Sequence, residues 1–245
     1  MNGIYERELT LGSEHVDCFR RLRTSALFEL MQVVSMQHIG QLGAGWERTL
    51  DRGLLWVIAR QHAVVERTPV YGERVVLRTW PGATMRLLFP RYCELSSGSG
   101  ETLVRASAVW SLMDVATRKA AFPDEHGIEI AGVETGRELP CLTHLRTMET
   151  TDFFECTIPY SYVDLNGHLN NARCFDLVED RLPTAQAGKM LREARVEYHG
   201  EAKPGAQLVA EWGEQNGKYY VNAMTDRPCF RMELTYAAER ESGEA

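Results

Sequence analysis

The stretch Asp164-Leu165-Asn166-Gly167-His168 sets a carboxylate, a carboxamide and an imidazole at alternate positions, directly ahead of an apolar-periodic segment. A carboxylate or an imidazole can take a proton from water as it attacks an electrophile. Backbone N–H groups at a helix start can hold the oxyanion that develops. The same residue types also suit a plain turn. Asp and Asn bond their own backbone, Gly167 tolerates a positive φ, and Asn170 or Asn171 can cap a following helix. The chain carries its own control on this ambiguity. Asp17-Cys18-Phe19-Arg20-Arg21 occupies the same place ahead of an earlier helix, and keeps the Asp without the Asn or the His. The turn forms there without them, which favours a chemical role for Asn166 and His168.

Two copies of one pattern position these residues. "YERELTLGSEHVD" leads to Asp17 and "FFECTIPYSYVD" to Asp164. A helix is expected after each. Leu27, Leu30, Met31 and Val34 fall on one face of residues 22–40, and Cys174, Phe175, Val178 and Leu182 on one face of 170–182. Strand-like runs rich in β-branched and aromatic residues follow. They cover 54–67, 73–80, 86–95 and 101–114 in the first copy, and 193–202, 206–213, 218–226 and 229–239 in the second. Gly72 is matched with Gly205 and Trp80 with Trp212, and Asn216-Gly217 marks a hairpin. One long helix on a curved antiparallel sheet, written twice, is α+β by layer logic. The expected domains are 1–128 and 151–245. A Gly-, Pro- and charge-rich linker spans 129–150, and residues 42–53 are an insertion without a counterpart.

Bulk properties narrow the function. The 245 residues, 44% hydrophobic and 25% charged, suit one large or two small soluble domains. The N-terminus lacks a signal-peptide layout and no apolar run is long enough to span a bilayer, so a cytoplasmic protein is expected. A net charge of −7 argues against nucleic acid as a partner. The six cysteines show neither CxxC nor zinc-finger spacing and are expected to be reduced thiols. With no metal-site cluster and no glycine-rich phosphate loop, neither metal nor cofactor is expected. His38 and His62 read as core histidines, and Trp56, Trp80, Trp110 and Trp212 as core filling. A local basic cluster, Arg181, Lys189, Arg192, Arg195 and Lys203, stands out against the acidic whole.

The layout resembles the hot-dog fold, and its tandem form resembles the acyl-acyl carrier protein thioesterase family of plants and bacteria. The likeness rests on several motifs in order: "LLWVIARQHAVVERTPVYGERVVLRTWPG", "ASAVWSLMDVATRK" with Asp114 where Asn is common, "DLNGHLNNARC" and "VEYHGEAKPG". It implies a double hot-dog enzyme that hydrolyses fatty acyl-acyl carrier protein, with Asp164, Asn166, His168 and Glu201 as catalytic residues. Many plant members carry Cys at the position of Ala202, so a Cys-His mechanism there is excluded. Direct attack by water, with Glu201 or Asp164 as general base, is the expected course. Thr68 is the first-copy counterpart of Glu201, so a single active site is expected. The implied partner is an acyl carrier protein bearing the acyl chain on 4'-phosphopantetheine. The basic cluster would dock it, and Leu27, Met31 and Val34 of the first helix would line the acyl-chain site. A monomer or a homodimer is compatible with two fused copies. The alternatives are an acyl-CoA thioesterase and a non-catalytic acyl-binding or acyl-sensing protein on the same fold; a hot-dog dehydratase carries its His and acid in different local motifs.

Overall fold

The computed structural model describes residues 3–137, 139–140, 142–146 and 148–237. Cys141 lies outside the described residues. The chain divides into two compact units, one ending at Thr143 and one beginning at His144. The first contains β1 (Tyr5–Thr10), α1 (Thr24–Gln41), β2 (Leu54–Val65), β3 (Arg74–Pro81), β4 (Leu88–Ser97) and β5 (Thr102–Asp114). The second contains β6 (Asp152–Thr157), α2 (Arg173–Glu179), the single-turn α3 (Pro183–Gln186), β7 (Leu191–Tyr198), β8 (Gln207–Gln215), β9 (Lys218–Met224) and β10 (Pro228–Tyr236). Within the first unit the antiparallel strand order is β1-β3-β4-β5-β2. Within the second it is β6-β8-β9-β10-β7, the same order again. The fold class is α+β.

The duplication reaches the irregularities. The β2–β5 ladder has a bulge between Ile58 and Arg60, opposite Trp110 and Val109. The β7–β10 ladder has one between Leu191 and Glu193, opposite Tyr236 and Thr235. Gly72 and Gly205 take the same left-handed conformation, φ 79° and 78°, and donate their N–H to Leu11 and Ile158. Only glycine enters that region without a Cβ penalty, so the two turns share one requirement.

α1 buries Leu27, Leu30, Met31 and Val34 against its sheet, with His38 reaching Arg91 of β4. Trp56 anchors the following segment by donating its indole N–H to the Ala44 carbonyl at 3.0 Å. Two expectations change. First, the second helix is shorter than 170–182: α2 spans only Arg173–Glu179. Pro183 disfavours the α region at Leu182, which is extended (φ −84°, ψ 117°), and opens α3 instead. Leu182 is still fully buried.

Second, Trp212 does not match Trp80. Tyr5 pairs with Thr79 in the first sheet, and Asp152 pairs with Trp212 in the second. Trp212 therefore takes the place of Thr79, and Gly213 that of Trp80. A slip of one residue moves a side chain to the other face. Thr79 meets Arg91 on the α1 side, whereas Trp80 lies on the opposite face under the Arg137 guanidinium. At Gly213 a Cβ would stand 2.6 Å from the Glu149 carbonyl, so the chain crossing that face requires glycine there.

Described residues between β5 and β6 make contacts within their own units. Ile128 and Ile130 are buried, and Val133 donates its N–H to Pro81 at 2.8 Å. In the second unit, Leu145 donates its N–H to Glu197 at 3.1 Å and Thr151 to Trp212 at 2.9 Å. Among the described residues no helix is long and apolar enough to cross a membrane.

Candidate active site

Two segments of the second unit meet at one backbone hydrogen bond. Leu169, at the end of the Asp164–His168 turn, donates its N–H to Ala202 at 2.8 Å. Ala202 lies in the connection between β7 and β8, which carries Glu201. The sequence places Glu201 on a strand over 193–202, but β7 ends at Tyr198. Both His199 and Gly200 turn their N–H groups to the Cys229 carbonyl, at 2.8 and 3.1 Å, which ends the regular ladder and swings Glu201 toward the turn. The Nε2 of His168 then stands 3.3 Å from the Oε2 of Glu201, with His168 largely covered and Glu201 more open. Gly200 is needed for this path, because a Cβ there would fall 2.6 Å from the Pro228 carbonyl.

The first unit builds the same scaffold with other side chains. Asp17 donates its N–H to Arg21 at 2.8 Å, as Asp164 does to His168 at 2.9 Å. Leu22 donates to Pro69 at 2.8 Å, as Leu169 does to Ala202. Phe19, Arg21 and Thr68 therefore hold the places of Asn166, His168 and Glu201. In both copies the Asp is the hub of the turn. Asp17 Oδ1 accepts the N–H groups of Phe19 and Arg21 at 2.9 and 2.8 Å. Asp164 Oδ1 accepts that of Asn166 at 2.8 Å, and its Oδ2 lies 3.4 Å from the carboxamide nitrogen. The fold retains Asp164 in this role wherever it makes the turn. It does not retain Asn166, His168 or Glu201.

The backbone donors expected at a helix start are not immediately beside His168. Leu169–Ala172 intervene before α2, and Asn170 Oδ1 accepts the Ala172 N–H at 2.8 Å within that stretch. The carboxamide of Asn166, exposed and held by Asp164 through one N–H, is the donor the turn presents instead. The described cysteines are free, and burial pushes the thiols of Cys93, Cys156 and Cys174 upward. They stay protonated at neutral pH and are poor nucleophiles.

Of the other expected residues, Lys203 shares the β7–β8 connection with Glu201. Leu27, Met31 and Val34 are interior residues of α1. Arg195 is ion-paired to Glu233 at 2.9 Å. Arg181 and Lys203 are exposed, and Lys189 and Arg192 are half-buried. His38 and His62 are buried in the first unit. Sequence reasoning missed the roles of Gly200 and of the Leu169–Ala202 bond. The only signal for either was the match of Pro69 with Ala202 across the copies.

Two copies of a helix on a five-stranded antiparallel sheet, with the His168–Glu201 pair at the turn of the second copy and Arg21 and Thr68 in its place in the first, define a tandem hot-dog protein with a candidate catalytic centre at that turn. The profile of the acyl-ACP thioesterase N-terminal domain matches residues 2–126, and that of the acyl-ACP thioesterase C-terminal domain residues 146–227. The chain belongs to the acyl-ACP thioesterase family. It is 27% identical over 228 residues to an acyl-[acyl-carrier-protein] hydrolase of Cuphea viscosissima, covering 85% of this chain and 54% of the relative. It is 29% identical over 200 residues to a dodecanoyl-[acyl-carrier-protein] hydrolase of Umbellularia californica, covering 74% and 51%. The chain thus spans about half the length of these curated relatives. Among solved structures, an acyl-ACP thioesterase from Bacteroides thetaiotaomicron superposes with a TM-score of 0.84 at 22% identity, covering 96% of this chain and 98% of that one. The 12:0-ACP thioesterase from Umbellularia californica gives 0.79 at 21% identity, covering 96% and 98%. These two share the fold.

Proposed function

We propose that the second unit hydrolyses the thioester of fatty acyl-acyl carrier protein and releases free fatty acid in the cytoplasm. The observation that carries this reading is the His168–Glu201 pair, which a family scaffold builds in one copy and omits in the other. In this mechanism the Nε2–H of His168 donates to Glu201 Oε2 and holds the carboxylate. The other Glu201 oxygen takes a proton from water as the water oxygen bonds to the thioester carbonyl carbon. The free N–H of the Asn166 carboxamide faces the resulting oxyanion. The C–S bond then breaks, and the proton held by Glu201 passes to the departing thiolate. Asp164 orients Asn166 and keeps the turn closed. The direct test compares thiol release from matched acyl-carrier-protein and acyl-CoA substrates by the purified protein. The expected result is a higher kcat/KM with the carrier; no hydrolysis of either substrate would refute the proposal.

Carrier docking is assigned to Arg181, Lys189, Arg192, Arg195 and Lys203, because acyl carrier proteins are acidic. Reversing Lys189 and Arg192 together to Glu should raise KM for the carrier-bound substrate, more at low salt than at high salt, and leave kcat within about threefold. An unchanged KM at low salt would remove these residues from docking. The acyl chain is assigned to the α1 interior around Leu27, Met31 and Val34. Met31→Trp should shift preference toward shorter chains while the shortest substrates keep their turnover. A preference untouched by Met31→Trp but moved by enlarging Phe175 would reverse the assignment.

A further inference from the structure

The two segments that carry His168 and Glu201 meet at more than that pair and the Leu169–Ala202 bond. At the end of β7 the Tyr198 hydroxyl donates to the Asn171 carbonyl at 3.0 Å. Asn171 stands three residues after His168, and Tyr198 three residues before Glu201. Each segment thus holds one side chain of the pair and, within three residues, one end of this bond. Burial and the neighbouring Cys174 sulfur push the Tyr198 phenol well above its ordinary pKa, so it stays a protonated donor at neutral pH.

The first copy shows which of these contacts the fold requires. Leu22–Pro69 repeats the Leu169–Ala202 bond. Val65 stands in the place of Tyr198. It pairs with Val104, and Glu66 donates its N–H to Leu103, as Tyr198 pairs with Phe230 and His199 donates to Cys229. A valine side chain has nothing to donate, and the segment opposite differs accordingly. α1 begins at Thr24, the counterpart of Asn171, and Leu27 donates its N–H to Arg23, four residues back. α2 begins two positions later, at Arg173. Ahead of it the bonds run only three residues back, from Arg173 to Asn170 at 3.0 Å and from Phe175 to Ala172 at 3.2 Å. A carbonyl ahead of the α-helical ladder calls for a partner, and the Tyr198 hydroxyl supplies one to Asn171. The copy with the hydroxyl delays its helix; the copy without it does not.

We propose that Tyr198 is a positioning residue for the hydrolysis: its hydroxyl holds residues 169–172 out of the helix and so fixes the His168 imidazole against Glu201. The effect on rate rests on the hydrolytic reading above, whereas the effect on the His168 ring rests on the geometry alone. Tyr198 acts through His168 and moves no proton itself.

The test removes one hydroxyl at a time from the full chain. Tyr198→Phe keeps the ring and deletes the donor. Tyr236→Phe is the control, because it deletes a hydroxyl of the same unit that donates at 2.9 Å to Glu179, the last residue of α2. With an acyl-carrier-protein substrate, Tyr198→Phe should lower kcat by about 10–50-fold and leave KM within about threefold. Tyr236→Phe should keep kcat within about twofold, while both variants lose about 2–8 °C in Tm. In parallel, spectra of protein isotope-labelled in its histidine rings are recorded, the His168 signal being identified by its loss in His168→Ala. That signal should be displaced in Tyr198→Phe and unmoved in Tyr236→Phe. Wild-type kcat in Tyr198→Phe, equal falls in kcat in the two variants, or a His168 signal that Tyr198→Phe leaves in place would each overturn the proposal. A wild type without hydrolysis would refute the hydrolytic reading instead, and the ring signal would still decide whether Tyr198 places His168.

Discussion

Alanine at His168 or at Glu201 is expected to lower turnover of an acyl-carrier-protein substrate by about 10²–10⁴-fold, the scale of a lost acid–base group. The two side chains act through one contact of 3.3 Å, so their losses should not add. The double variant should be about as slow as the slower single variant. Folding should survive, since Arg21 and Thr68 occupy the same places in an intact first unit. The check is kcat for the four proteins beside their far-UV spectra. Near-wild-type kcat in both single variants would remove the pair from the mechanism, and fully multiplicative losses would show that the two groups act separately.

Gly200→Ala should be nearly as damaging without touching a reacting group. The new Cβ would stand 2.6 Å from the Pro228 carbonyl, closer than such contacts occur, and the obstacle is backbone rather than a side chain that can swing away. The β7–β8 connection must shift, and Glu201 moves with it relative to His168. Displacement of a reacting group by about 1 Å can cost about 10²-fold in rate. A fall of that order in kcat, with cooperative unfolding retained, is the expected outcome. Unaltered kcat would mean that the connection absorbs the shift before it reaches Glu201.

Much of the fold was legible because two local signals were clear. Runs rich in β-branched and aromatic residues over 54–67 and 218–226 marked β2 and β9, and the spacing of Leu27, Leu30, Met31 and Val34 marked α1. What escaped was set by geometry that a pattern does not carry. The identity of two tryptophans suggested matching Trp80 with Trp212, whereas strand register puts them on opposite faces. Helical periodicity ran on to Leu182, whereas Pro183 breaks the helix earlier. At the site, comparing the copies singled out Asn166 and His168 from sequence alone, because the pattern was written once with them and once without. It could not rank Asp164 against Glu201. The hydrogen bonds at Asp17 and Asp164 show both carboxylates performing the same turn-closing task, which supports the proposal of Glu201 as the base.

The central claim is that the first copy supplies the scaffold of the second without its chemistry. It is tested most directly by writing first-copy residues into the second copy, as the triple variant Asn166→Phe, His168→Arg and Glu201→Thr. Hydrolysis of an acyl-carrier-protein substrate and thermal unfolding would be measured on the same preparation. The account predicts a cooperatively folded protein, with a Tm within about 5 °C of wild type, whose hydrolysis falls to the level of the double alanine variant or below. A triple variant that still hydrolyses at a substantial fraction of the wild-type rate, or one that no longer folds, would contradict it.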